Sequence, residues 1–186
     1  TEHTIIMQNN TLEVWSIPLR HRVPTAGYLF KEKQPGRNVD KFKIEKYGLS
    51  IAQIVAAKRG EDITLEDGEV IPNDELTYIP YQARSYAYLS DTAYSAKAAE
   101  RVHGVDLLYH ETTYSTSEAM FAKGRGHSTT IEAAKVAAKA EAKKLIIGHF
   151  SSRYKSHETL VEECRTIFPN SDIAAEGMTF NIEEKR

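Results

Sequence analysis

Three short apolar runs in this sequence each end on a side chain able to bind a metal ion or carry a proton. Ala87-Tyr88-Leu89-Ser90 leads to Asp91. Val105-Asp106-Leu107-Leu108-Tyr109 leads to His110 and Glu111, and Leu145-Ile146-Ile147-Gly148 leads to His149, while His127 opens a helical pattern between the last two. Nitrogen and carboxylate ligands in one set suit zinc, with manganese as a harder substitute. A carboxylate such as Asp91 can bridge two cations about 3.5–4 Å apart, a spacing that stabilises both the attacking and the leaving oxygen of a phosphodiester. A His–Glu pair can protonate the departing alkoxide.

Such side chains work together only if secondary structure brings them together. If the three runs are neighbouring strands read in one direction, their ends fall along one sheet edge, where α/β proteins place their chemistry. From Tyr81 onward the pattern alternates: strand 85–90, helix 95–102 closed by Gly104, strand 105–109, helix 129–144, strand 145–148, helix 157–168 stopped by Pro169, then Ile173-Ala174-Ala175. The predicted order βαβαβαβ puts the chain in the α/β class. Thr129 and Glu132 have the spacing of a capping box, which sets a helix start just after His127. Upstream, residues 11–31 read as two strands around Pro18-Leu19-Arg20-His21, which leaves His21 at a strand end.

Each of the seven histidines is weighed separately, because an isolated histidine is more often structural than a ligand. His3 lies near a terminus. His103 falls in the last turn of a helix, where its charge suits the dipole, and His157 begins a helix. The other four, His21, His110, His127 and His149, are predicted at strand ends or in loops, held by the scaffold and open to solvent.

The chain has 186 residues and a mass of 21.0 kDa, suited to one domain. Its hydrophobic content of 41% and formal charge of -2 argue neither for nor against a nucleic-acid partner. The single cysteine, Cys164, lies in a helical pattern and reads as a buried thiol in a reducing compartment. No run approaches the roughly 20 apolar residues of a membrane span. The sequence opens Thr1-Glu2-His3 without a methionine, and we expect it to begin partway through a longer protein. From Lys31 the composition turns polar. Eight basic residues between Lys31 and Arg59 face only Glu32, Asp40 and Glu45, whereas the charges from Glu61 to Glu75 are all acidic. This stretch reads as an insertion or arm, and charge alone leaves a solvated surface and an RNA-contacting arm equally open.

Leu89-Ser90-Asp91-Thr92, His110-Glu111-Thr112-Thr113-Tyr114, Gly126-His127-Ser128-Thr129-Thr130 and His149-Phe150-Ser151-Ser152-Arg153-Tyr154 resemble, in order and spacing, the C-terminal motifs of ribonuclease Z. That family comprises the tRNA 3′-processing endonucleases of the metallo-β-lactamase superfamily. Pro18-Leu19-Arg20-His21-Arg22-Val23-Pro24 looks like the family segment carrying an earlier zinc-binding histidine, and Thr64-Leu65-Glu66-Asp67-Gly68 like a stretch just after the arm that clamps tRNA. The resemblance covers nearly the whole chain. It implies that His21 binds one zinc, Asp91 bridges two and His149 binds the other, with manganese a possible substitute. Glu111 and His127 would be the proton-donating pair. Ser152 and Arg153 would contact phosphate, and residues 31–72 would form a tRNA-binding arm with Lys58 and Arg59 as its leading RNA contacts. A cytoplasmic homodimer acting on precursor tRNA, with no membrane association, is the implied state.

The family's principal metal motif, His-x-His-x-Asp-His, is absent from the sequence. The expected fold is therefore α/β, half of an αββα sandwich formed by residues 1–186, with an inserted arm and an apolar sheet face left uncovered. That face favours self-association or pairing with an N-terminal half of the same fold. We expect partial or no metal occupancy in this chain alone, and no effective hydrolysis. Two other readings of the residues stand beside this one: another superfamily phosphodiesterase, or a non-catalytic RNA-binding or dimerising module.

Overall fold

The computed structural model describes residues 2–183. Along the chain run β1 (Ile5–Gln8), β2 (Leu12–Pro18) and β3 (Ala26–Glu32), then β4 (Asn38–Val39), α1 (Lys41–Tyr47), α2 (Ile51–Lys58), β5 (Ile63–Thr64), β6 (Val70–Ile71), α3 (Asn73–Leu76) and β7 (Thr77–Tyr78). There follow β8 (Ser85–Leu89), α4 (Ala96–Arg101), β9 (Leu107–Glu111), a short 3-10 turn over Thr116–Glu118, α5 (Ala119–Arg125), α6 (Thr130–Lys139), β10 (Lys144–Gly148), α7 (Glu158–Arg165) and β11 (Ser171–Ile173). Two compact units result, one from residues 2–32 and 84–182 and one centred on residues 33–83.

The first unit is built on a seven-stranded sheet of order β1-β2-β3-β8-β9-β10-β11. Strands β8 to β11 are mutually parallel, while β1, β2 and β3 are antiparallel to their neighbours and β3 runs against β8. The carboxyl ends of β8, β9 and β10 therefore share one edge, as the apolar runs predicted. Since Pro18 pairs with Ala26 and Tyr28 with Tyr88, the β2–β3 connection carrying His21 reaches the same edge.

Side chains alternate between the sheet faces. Ile17, Ala87, Leu89, Leu108, Leu145 and Ile147 pack against α4, α6 and α7, whose inward positions are largely alanine, with Leu160, Val161 and Cys164 on α7. Small residues let α6 lie close to the strands. Burial pushes the Cys164 thiol up to about 12, so it is an inert core group at neutral pH. The opposite face carries Tyr28, Tyr88, Tyr109 and Ile146 in one cross-strand row, with Phe30, Tyr86 and Leu107 in the next. Tyr88 and Tyr109 stack at 4.6 Å and Phe30 and Tyr86 at 5.8 Å. The expected apolar face is thus an aromatic one, on which Tyr86, Tyr88 and Tyr109 are half-buried and Tyr28 is exposed.

The second unit has its own core of Val39, Leu49, Ala57, Ile63, Ile71 and Leu76. β4 pairs with β7 and β5 with β6, both antiparallel. Ser50 and Gln53 form a capping box that starts α2. The Asn73 amide donates to the Ala57 and Glu61 carbonyls at 2.7 and 2.9 Å, tying α2 to α3.

Several elements differ from the expected boundaries. The strand expected at 105–109 runs from Leu107 to Glu111, so His110 and Glu111 belong to the strand. The helix expected to reach 144 ends at Lys139: Ala140 caps it and Glu141 adopts a positive φ of 51°. Helix α4 stops at Arg101, which leaves His103 beyond its last turn, 3.9 Å from a Glu141 carboxylate oxygen. Among the described residues no helix is long and apolar enough to cross a membrane.

Gly27 of β3 lies hard against the end of β8. A Cβ there would sit 2.6 Å from the Tyr88 carbonyl oxygen and 2.9 Å from Leu89 Cδ2. Gly27→Ala is expected to cost about 1–3 kcal/mol through overpacking, read as a lower denaturation midpoint with an unchanged m-value. An unchanged midpoint would show that the two strands separate freely.

Candidate functional site

The site is assembled from five loops at the carboxyl edge, around Glu111. As the last residue of β9, Glu111 is completely buried, and its carboxylate accepts five hydrogen bonds. Oε1 takes the Thr92 and Ser128 amides at 3.0 Å each and His127 Nδ1 at 2.9 Å. Oε2 takes the Thr113 amide at 2.9 Å and the Thr113 hydroxyl at 2.7 Å. Burial alone pushes a carboxyl upward, but the bonds from His127 and Thr113, with nearby His110 and the Thr92 amide, overcome it and hold Glu111 below its ordinary value.

The loop donors fix their neighbours in turn. Thr92 follows Asp91. It is itself buried, accepts the Arg20 amide at 3.0 Å and donates to the Ala93 carbonyl at 2.8 Å, which locks the His21 loop to the Asp91 loop. Ser128 donates to the Thr92 carbonyl at 2.6 Å, and Thr129 with Glu132 forms the predicted capping box of α6. His127 is held between that cap and the end of α5, where Gly126 has a φ of 76°. The Gly126 carbonyl lies 2.9 Å from His21 Nδ1, and a Cβ on Gly126 would approach that nitrogen to 3.1 Å. His149 adopts a positive φ of 59°, a conformation that costs a non-glycine residue about 1–2 kcal/mol and turns its ring into the site.

His127 stands at the centre. Its ring lies 4.8 Å from that of His21 and 5.5 Å from that of His149. Two groups of side chains could hold a metal ion: His21, Asp91 and His127, and Glu111, His127 and His149, with the ligand atoms in each group within 4.8 Å of one another. Asp91 Oδ1 is 3.4 Å from His149 Nε2, so the two groups adjoin. Mixed nitrogen and oxygen donors at these separations fit a borderline divalent cation. His21, Asp91 and His149 thus converge on one region, though among the described residues they share a cluster only through His127.

Not every expected participant reaches this point. His110 is fully buried, donates through Nδ1–H to the Glu111 carbonyl at 2.6 Å, and points to the opposite side of β9 from Glu111. The expectation that solvent reaches it is corrected: the strand continues through His110, and alternation turns its ring into the core. His3 stacks on Trp15 and His157 on Phe150. Arg153 pairs with Glu118, and its guanidinium lies 5.3 Å from the Tyr114 ring and 5.5 Å from that of Phe121. Ser152 is exposed beside it. Lys58 ends α2 and Arg59 caps it, both exposed on the second unit. Thr92, Thr113 and Ser128 were not singled out from sequence, although all lie inside the motifs quoted above.

The mixed sheet thus gathers carboxylates and imidazoles at the carboxyl edge of its parallel strands, where α/β folds place their sites. Residues 7–150 match the family described as the beta-lactamase superfamily domain, and the chain belongs to that family. It is 42% identical over 179 residues to ribonuclease Z of Phocaeicola vulgatus, which covers 96% of this chain and 58% of that protein. It is 41% identical to ribonuclease Z of Bacteroides thetaiotaomicron, over 97% of this chain and 57% of that one. The chain therefore spans somewhat under three-fifths of the relatives it matches. Among solved structures, the metallo-beta-lactamase fold protein YhfI from Bacillus subtilis superposes with a TM-score of 0.58 at 17% identity, over 92% of this chain and 49% of that one. The short form of human tRNase Z superposes at 0.56 and 20%, over 96% and 46%. These two show the same fold.

The Glu111 carboxylate raises the pKa of His127 above the ordinary 6.5, against the opposing effect of partial burial. Because the folded value is the higher one, the pair stabilises the fold fully below about pH 6.5 and loses that contribution as pH rises through the raised value. NMR titration of the metal-free protein should place the His127 midpoint above 6.5, and Glu111→Gln should lower it. A native midpoint at or below that value would contradict the coupling.

Proposed function

We propose that this chain is the C-terminal part of a zinc-dependent endoribonuclease that removes 3′ trailers from precursor tRNA. One observation carries the reading: a buried Glu111–His127 pair, 2.9 Å apart, adjoins two candidate metal groups in a chain 42% identical to a ribonuclease Z. His21, Asp91 and His149 are the proposed ligands from this chain for two cations, zinc or manganese, with the remaining ligands supplied by an N-terminal half bearing His-x-His-x-Asp-His. Cations bound there would supply an activated water and offset charge building up on the phosphate.

His127 is assigned to proton transfer because its Nδ1–H is committed to Glu111. The adjacent carboxylate also favours the imidazolium, a state with no lone pair to offer a metal. Its Nε2–H would pass a proton to the leaving 3′ oxygen, and Glu111 would stabilise the charge His127 carries beforehand. Residues 31–72 are proposed as the tRNA-binding arm, with Lys58 and Arg59 neutralising phosphates in a salt-sensitive manner. Ser152 and Arg153 would meet the backbone nearer the cut. To do so Arg153 must share its guanidinium with Glu118. A cytoplasmic homodimer completed by the N-terminal half is the proposed working form, and this chain alone is inactive.

Cleavage of a 3′-extended precursor tRNA in added zinc tests the assignment. The chain alone should yield no product. Mixing it with a polypeptide supplying the His-x-His-x-Asp-His half should restore cleavage, and His149→Ala should abolish it again. Binding of the RNA without cleavage in the mixture would favour a non-catalytic module instead.

A further inference from the structure

The hydroxyl of Thr113 lies among three groups that would otherwise compete for protons. Its Oγ1 is 2.7 Å from Glu111 Oε2, 2.8 Å from His149 Nδ1 and 3.1 Å from His127 Nδ1. Thr113 is 7% exposed, so little water can take over its bonds. A hydroxyl has one proton to give and two lone pairs to accept with. Glu111 can only accept while ionised, and a carboxylate at 2.7 Å forms the stronger, charge-assisted bond, so the threonine proton goes to Glu111. Oγ1 is left as an acceptor towards His149, and the atom facing it must be Nδ1–H.

From this accounting we infer that Thr113 is the residue that sets the tautomer of His149, holding it as Nδ1–H so that the Nε2 lone pair faces Asp91 and the proposed cation. The inference rests on the metal-centre reading for its consequence but not for the tautomer. One alternative bears on it. A neutral His149 could instead carry its proton on Nε2 and donate to Asp91 Oδ1, but that separation is 3.4 Å. It would also set a bare Nδ1 against a threonine oxygen whose proton is already committed at 2.7 Å. The short bonds prevail over the long one. His127 does not depend on Thr113 in this way, because its Nδ1–H goes to Glu111 Oε1 at 2.9 Å. Thr113 is thus a positioning residue: it turns the ring nitrogen that could ligate towards the cation and keeps a proton off it, the usual office of a hydrogen-bond partner behind a metal-binding histidine.

The test uses protein with 15N-labelled histidine, free of metal, at a pH where both rings are neutral, with the nitrogen assigned from long-range 1H–15N correlations. In the native protein His127 and His149 should both be Nδ1–H. Thr113→Val keeps the shape and the backbone N–H to Glu111 but removes the hydroxyl. It should convert His149 to Nε2–H and leave His127 as Nδ1–H, whereas a general loss of structure would disturb both. Thr113→Ser should restore the native pattern. Zinc titration of the same proteins should show roughly 10–100-fold weaker binding for Thr113→Val alone. An Nε2–H His149 in the native protein, or one unmoved by Thr113→Val, overturns the inference. Failure of the precursor-tRNA cleavage test would leave the tautomer result intact, so the two readings fail separately.

Discussion

The site depends on one buried anion. Glu111 has no contact with solvent, and a carboxylate taken from water without partners would cost several kcal/mol (roughly, by the effective penalty for a buried ion). Five donors from three loops satisfy it. Each donor belongs to a segment that also carries a chemical group: Thr92 follows Asp91, Ser128 follows His127, and Thr113 touches His149. The same bonds that make the carboxylate tolerable therefore fix the positions of the side chains around it. Removing it would release three loops at once.

The sheet provides the edge on which this can happen. Parallel pairing of β8, β9 and β10 aligns their carboxyl ends, and the antiparallel β2–β3 hairpin brings His21 to the same line from far earlier in the chain. Close approach then does the final placement. Gly126 lets His21 come within hydrogen-bond reach of the α5 terminus, and the strained backbone of His149 aims its ring inward. Strain of this kind persists only where surrounding contacts over-determine it. Here the Thr112 amide bond to the Gly148 carbonyl and the Ser151 amide bond to the Thr113 carbonyl flank the strained residue.

The aromatic face of the sheet belongs to the same architecture. Val14, Leu107 and Ile146 share this face with Tyr86, Tyr88 and Tyr109 and are almost fully buried among its side chains. Tyrosine suits such a surface because its ring covers apolar area while its hydroxyl stays wet. Burial, with the neighbouring tyrosines, raises the pKa of Tyr109 and of Tyr86, so these hydroxyls stay protonated across the neutral range.

Much of this was legible in the amino-acid order because it rests on local periodicity. The runs ending at Ser90, Tyr109 and Gly148 announced strands, and Thr129 with Glu132 announced the start of α6. Strand β1 escaped notice because Ile5 to Gln8 are all exposed and show no alternation. Helix α6 was drawn too long because Ala140, Ala142 and Lys143 are good helix formers, and only the turn at Glu141 ends it. The sequence by itself determined which residue types stand at the ends of which strands, since short-range patterning and motif spacing are written in neighbouring residues. Only the tertiary structure decided that His110 turns into the core while Glu111 turns to the site. It alone made His127 the shared centre of both candidate metal groups, and it brought a threonine hydroxyl to stand between a carboxylate and two imidazoles. Those outcomes depend on strand register and on hydrogen bonds between segments up to 105 residues apart, distances over which local pattern carries no information.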